Sequence, residues 1–181
     1  MDQYYYAVSS LPFLDFENDP GISFDEFNNI CRSALLDKDF AVLNSISLTN
    51  LKEINSGIPI IDKWVSWEGT LRNEIAKLRG VSLGVESSSY TFEVESNSVA
   101  PGIAGTAYKL DSPLKAEESL DMARWQFLDE LEVGHFFDLE KLIVYSLRLQ
   151  ILERKRMFTK EKGNKNFQEI YENIKEAVRE A

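Results

Sequence analysis

The sequence predicts an all-α fold, an irregular multi-helix bundle, and three observations carry that expectation. Apolar residues recur at spacings of three and four through most of the chain. Helix-start signals stand at Ser23, at Ser112-Pro113 and at Asp138. Only one short piece, Tyr90 to Glu95, alternates as a strand would. With 181 residues and 44% hydrophobic content, a single helical domain over 1–181 buries roughly 70% of its unfolded surface. It needs no disulfide or metal to hold together.

The elements follow in order. Residues 4–16, YYYAVSSLPFLDF, are rich in aromatics and end near the turn Asn18-Asp19-Pro20-Gly21. They read as a short strand or an extended aromatic arm packed on helices. Ser23 followed by Glu26 is a capping box, in which the serine and the glutamate each satisfy one free N–H of the first turn. The helix it opens carries Phe24, Phe27, Ile30, Cys31, Ala34 and Leu35 on one side. A second short helix starts at Asp37 and runs to Leu43, and a third is expected from Leu48 to Ile54, ending near Gly57.

Pro59 separates that unit from a long helix over Asp62–Arg79. Trp64, Val65 or Trp67, Leu71, Ile75 and Leu78 mark its buried side, and Gly80 stands where a terminating glycine belongs. The stretch 84–112 changes character, with six serines, Pro101 and two further glycines beyond Gly84. It reads as a surface excursion, with Tyr90–Glu95 as the one place for a short β-hairpin. Helix resumes at Ser112-Pro113 and runs to Glu132, through Leu120, Ala123, Trp125, Leu128 and Leu131. Gly134 breaks it. Asp138 then caps a helix with Leu139, Leu142, Ile143, Leu149 and Leu152 on its apolar face. Arg154-Lys155-Arg156 lies near the end of that helix, and Gly163 lies beyond it. Phe167, Ile170, Tyr171, Ile174 and Val178 pattern a last helix.

Composition excludes several function classes. Thirty acidic against twenty basic residues give a net charge of −10, which repels phosphate backbones and argues against nucleic acid. No apolar run approaches the ~20 residues of a membrane-spanning helix, and no secretory signal is visible. The lone cysteine, Cys31, reads as a small core residue in a reducing, cytoplasmic setting. The charge is uneven. Eight Lys or Arg between Lys141 and Lys165 face Glu140, Glu153 and Glu161 in the same neighbourhood. That makes one end locally basic, either as cations complementing a helix C-terminus or as a surface for an acidic protein partner.

Reaction chemistry is sparse. A single histidine removes most acid–base and metal options. Glu132 and His135 form one E-x-x-H pair, but a di-iron bundle needs two and further carboxylates. No phosphate-binding loop, dinucleotide fingerprint, C-x-x-C or nucleophile elbow is present. Gly102 and Gly105 precede no helix start, so they form no phosphate cradle. The three tryptophans sit at core spacing, and no cofactor is expected. One polar constellation remains. Glu68 and Arg72 are an i,i+4 pair, with Arg79 two turns further on. Glu117, Glu118 and Asp121 of the following long helix could face them as a structural charge pairing that fixes helix register.

Four blocks carry a family resemblance: YYYAVSSLPFL, ISFDEF, the run W-x-x-W-E-x-x-L-R-N-E-x-A-K-L-R over 64–79, and HFFDLEKLIVYSLRLQILER. Together they make the chain resemble an uncharacterised bacterial family encoded among V/A-type rotary ATPase subunits. More distantly it is similar to the funnel-like, all-helical component that joins the central rotor shaft of those ATPases to the membrane ring, a protein about twice as long. The resemblance implies a non-catalytic stalk, structural or assembly protein at the cytoplasmic face of the membrane, with ATPase subunits as partners. Arg154, Lys155 and Arg156 are then the candidate contact residues, with Tyr4, Tyr5, Tyr6 and Trp64 as apolar anchors. The alternative is a cytosolic helical adaptor for an unrelated protein. An enzyme would have to work through carboxylates such as Glu68 and Glu118 in a shared cleft.

Overall fold

The computed structural model describes residues 2–49, 51, 57–86, 91, 93, 99–158, 168, 170–172 and 175. Its architecture is all-α. Among the described residues there are seven helices between Asp2 and Met157: α1 (Asp2–Ser9), α2 (Phe24–Ala34), α3 (Asp37–Ser45), α4 (Pro59–Leu83), α5 (Ala100–Tyr108), α6 (Pro113–Glu132) and α7 (Leu139–Met157). No strand occurs among the described residues. The hairpin expected over Tyr90–Glu95 and the third helix expected over Leu48–Ile54 fall largely outside them. So do Gly163 and most of the last predicted helix.

The helix starts follow their caps. The Ser23 hydroxyl accepts from the Glu26 N–H, and the Glu26 carboxylate accepts from the Ser23 N–H at 2.9 Å. Ser112 accepts from the Lys115 N–H, and Asp138 accepts from the Lys141 N–H at 2.9 Å. The long helix differs from expectation at both ends. Pro59 opens α4 at a first-turn position, where its missing N–H costs nothing. Gly80 is buried inside the helix, and the stop comes at Gly84, which takes the left-handed conformation at φ 65°. The Val85 N–H then returns to the Gly80 carbonyl at 3.0 Å, closing the final turn.

Two expectations are corrected. The aromatic start is a helix over Asp2–Ser9, not a strand or an extended arm, while 11–16 are not helical. Ala7 is wholly buried and Tyr4 half-buried, so one face of α1 packs on α2 and α7 while Tyr5 and Tyr6 face outward. The second correction concerns the stretch 84–112. Its residues Ala100–Tyr108 form α5, packed against α4 and α6, with Ala100 and Ala104 fully buried and Ala107 nearly so. Small side chains let α5 approach its neighbours closely, and Pro101 sits in its first turn. Serine and glycine content misdirected the reading here, because an alanine-faced helix carries little hydrophobic signal.

The core is organised by α7. Leu142 through Leu149 are all buried, as are Ile151 and Leu152, and α7 packs against α1, α2, α3 and α6. A helix enclosed on all sides reads as a continuous apolar run instead of a one-faced stripe. Cys31, also fully buried, lies in this core. Burial pushes its thiol up to about 12, which keeps it protonated and unreactive.

Candidate functional site

The most developed polar arrangement joins α4, α6 and α7. Glu68 is completely buried on α4. Arg124 of α6 donates to it through two nitrogens, Nε to Oε2 at 2.9 Å and Nη2 to Oε1 at 2.9 Å. This fork-on-carboxylate geometry is the strongest that an arginine makes. Arg72 adds Nε to Glu68 Oε1 at 2.8 Å. It also donates to the backbone carbonyls of Leu48 and Thr49, so it ties the segment after α3 to α4. The remaining Nη1 of Arg124 meets Asp121 Oδ1 at 3.0 Å, and Arg154 of α7 closes on the same carboxylate. Arg154 reaches Glu117 as well, at 3.7 Å.

Three arginines thus oppose Glu68, Asp121 and Glu117. Coulombic attraction and hydrogen bonding to Glu68 and Asp121 outweigh burial and hold the Arg124 guanidinium even more firmly protonated than usual. Burial pushes the Asp121 carboxyl up, against the opposing pull of Arg154 and Arg124. Both Glu68 oxygens accept from arginine donors.

Of the residues expected in the charge pairing, Glu68, Arg72 and Asp121 meet in this network, with Glu117 at its edge through Arg154. Glu118 lies on the exposed side of α6 and does not share a cleft with Glu68. Arg79 is exposed on α4 and has no ion pair among the described residues. Arg124 holds the centre and was not singled out from sequence. Its signal was available, since it lies three residues after Asp121 amid Leu120, Ala123, Trp125 and Leu128, in the middle of a core-facing stripe.

The basic segment at the end of α7 works inward. Arg154 belongs to the buried network. Lys155 donates to the Phe16 carbonyl at 2.9 Å, sits 4.0 Å from the Phe16 ring centroid and lies 3.5 Å from Glu17. Arg156 pairs with Asp19. Together they fasten the chain between α1 and α2 across the end of α7. Tyr145 Oη, donating to the Pro12 carbonyl at 3.0 Å, supports the same segment.

The aromatic residues divide. Trp64 is 1% exposed and stacks with Trp67 and Phe127. It is therefore a core residue and not a surface anchor, because Ile60, Ile61, Trp64, Trp67 and Leu71 form one apolar face of α4. Tyr4 is half-buried and donates from Oη to Asp39 at 2.8 Å. Tyr5 and Tyr6 are about 60% exposed. Tyr5 meets Phe137 with ring centroids 4.8 Å apart. Phe13, Val133 and Phe136 are more exposed still.

His135, Asp138 and Glu140 bring potential ligand atoms within 4.8 Å of one another. Asp138 is occupied there as a helix cap, with Oδ1 on the Lys141 N–H and Oδ2 on His135 Nδ1 at 2.8 Å. Asp138 thus serves the start of α7 and holds His135. Near the buried network, a cleft of about 620 Å³ opens between α4, α6 and the end of α7, lined by Ile75, Leu83, Val85, Leu120, Arg79 and Arg154 among others. Among the described residues, no helix is long and apolar enough to cross a membrane.

Residues 103–178 match the model of a family described as a protein of unknown function (DUF2764). The match runs through most of α5, all of α6 and α7, and the patterned segment beyond them. It spans less than half of the chain, which is to that extent similar to an uncharacterised family. No curated protein and no solved structure matches.

Proposed function

We propose that this chain is a non-catalytic structural, stalk or assembly protein associated with a V/A-type rotary ATPase. The observation that carries the structural part of this reading is the commitment of its charged side chains. Glu68, Asp121, Arg72, Arg124 and Arg154 neutralise one another between helices, and Lys155 and Arg156 hold the chain's own loop. Charges arranged this way set helix register, which supports a structural role. The ATPase association rests on the resemblance of the four sequence blocks.

A binding surface is better sought among the exposed aromatics than in the basic segment. Tyr5 and Phe137 touch, Tyr6 and Phe136 neighbour them in the chain, and Phe13 is exposed between α1 and α2. Aromatic side chains of this kind supply contact area at low entropic cost and anchor protein interfaces. A cytosolic helical adaptor for an unrelated partner would use the same surface.

The test is capture of the tagged protein from its own organism under gentle detergent. Stoichiometric ATPase subunits are expected, and a Tyr5→Ser/Phe136→Ser variant should lose them. An intact ATPase elsewhere in the lysate, with none of its subunits captured, would overturn the association.

A further inference from the structure

We infer that the aromatic face formed by α1 and the start of α7 receives a basic amphipathic segment of a partner protein, one that sets arginine or lysine beside apolar side chains. The match rests on the reading of this face as the binding surface. Its apolar half is Tyr5 of α1 against Phe137, with ring centroids 4.8 Å apart, and Phe136 next to it at 70% exposure. Rings left in water this way offer contact area to a partner's apolar side chains.

The charge around those rings selects the partner. Residues 1–31 hold six Asp or Glu and no Lys or Arg, and residues 125–140 hold five and none. These two stretches supply all three rings. Glu140 brings a carboxylate oxygen within 4.8 Å of the ligand atoms of Asp138 and His135, and it has no ion pair among the described residues. The cations nearby in the fold are turned elsewhere. Lys141 closes on Glu132, and Arg148 binds Asp129 and Glu132. On the neighbouring helices, Arg32 of α2 lies over the Phe40 ring at 5.5 Å, and Lys38 of α3 stands next to Asp39, the acceptor of the Tyr4 hydroxyl. A cation from outside therefore meets two adjacent carboxylates beside aromatic rings, and both attract it. The same charge disfavours the other occupants. A second copy would set its acidic face against this one, and an anionic lipid surface would be repelled.

Fluorescence anisotropy with the full chain tests the match. The probe is a labelled amphipathic peptide of leucine and arginine, about four helical turns long, with a leucine–glutamate peptide as its counterpart. The arginine peptide should bind and the glutamate peptide should not. Phe136→Ser should weaken binding at least roughly tenfold, the loss expected of an aromatic anchor, with circular dichroism unchanged. Glu140→Lys should weaken it roughly tenfold at low salt, and that difference should shrink at high salt. Glu118→Lys makes the same change in net charge on the exposed side of α6, in its first half, and should cost no more than ~twofold. An arginine peptide that does not bind, binding indifferent to Phe136→Ser, or Glu118→Lys as damaging as Glu140→Lys would each overturn the proposal. So would self-association that Phe136→Ser abolishes. Peptide discrimination without captured ATPase subunits would uphold the basic partner and count against the ATPase association. Captured subunits from a chain that ignores the peptide would do the reverse.

Discussion

Two charged regions of this molecule are built from the same residue types and do different things. Between α4 and α6, Arg124 is 6% exposed and clasps a Glu68 from which water is excluded. At the end of α7, Arg156 and Asp19 are 46% and 69% exposed and pair across solvent. Desolvation separates them. A buried carboxylate that loses its partner has no water to replace it, whereas an exposed one does. The first pairing therefore specifies how helices sit against one another, and the second contributes little beyond holding a loop.

The comparison can be broken most forcefully at its buried end. Arg124→Ala removes the two-nitrogen clasp on Glu68, leaving it Arg72 alone, and takes one of two arginines from Asp121. It should cost about 3–5 kcal/mol in urea unfolding. A loss below ~1 kcal/mol would mean that water reaches the network. Glu68→Met combined with Arg124→Met should recover most of that loss, since an apolar pair of similar volume removes both charges together. Arg72→Glu tests the half-exposed margin. Glu68 keeps Arg124 in this variant and Arg72 is 28% exposed, so the expected loss is smaller, about 1–3 kcal/mol. Ala104→Leu asks whether α5 belongs to the core. Adding volume at a fully buried alanine should cost about 1–3 kcal/mol, and an unchanged midpoint would return α5 to the surface. Arg156→Ala should shift stability by no more than ~0.5 kcal/mol, and high salt should remove even that difference.

The smallest effect concerns pH. The Glu26 carboxyl is held below its ordinary value of 4.5 by the Ser23 N–H and then by the Ser23 hydroxyl. Its contribution to stability is present above 4.5 and disappears as pH falls through the lower folded value. Burial acts in the opposite sense at Asp121, whose raised folded value favours the native state as protons are taken up. Glu26→Gln should accordingly lower the neutral plateau slightly and flatten the acid side of the stability profile, so that the two proteins converge at low pH. An unaltered profile would remove the cap from the account of acid unfolding.

Legibility followed local physics. The caps at Ser23, Ser112 and Asp138 act within one helical turn, and the sequence showed each of them together with the bounds of α6. The Glu68–Arg72 pair was legible for the same reason. Arg124 was not, because its main partner lies 56 residues away and its own neighbours look like ordinary core. Trp64 was placed on the buried side of its helix by spacing. Its second reading, as a surface anchor, fails once α6 brings Phe127 against it. The basic run 154–156 looked like a free patch because its partners, Asp121, Phe16, Glu17 and Asp19, sit far away in the chain.

By itself, then, the sequence determined the all-α class and where most helices begin. Those properties come from backbone capping, side-chain periodicity and composition, which need no distant neighbour. Tertiary structure alone decided that α7 is enclosed on all sides, that alanines recruit α5 into the core, and that Arg154 and Lys155 turn onto the chain's own residues. Each of those outcomes depends on which surfaces lose water together, and burial is a property of the assembled helices.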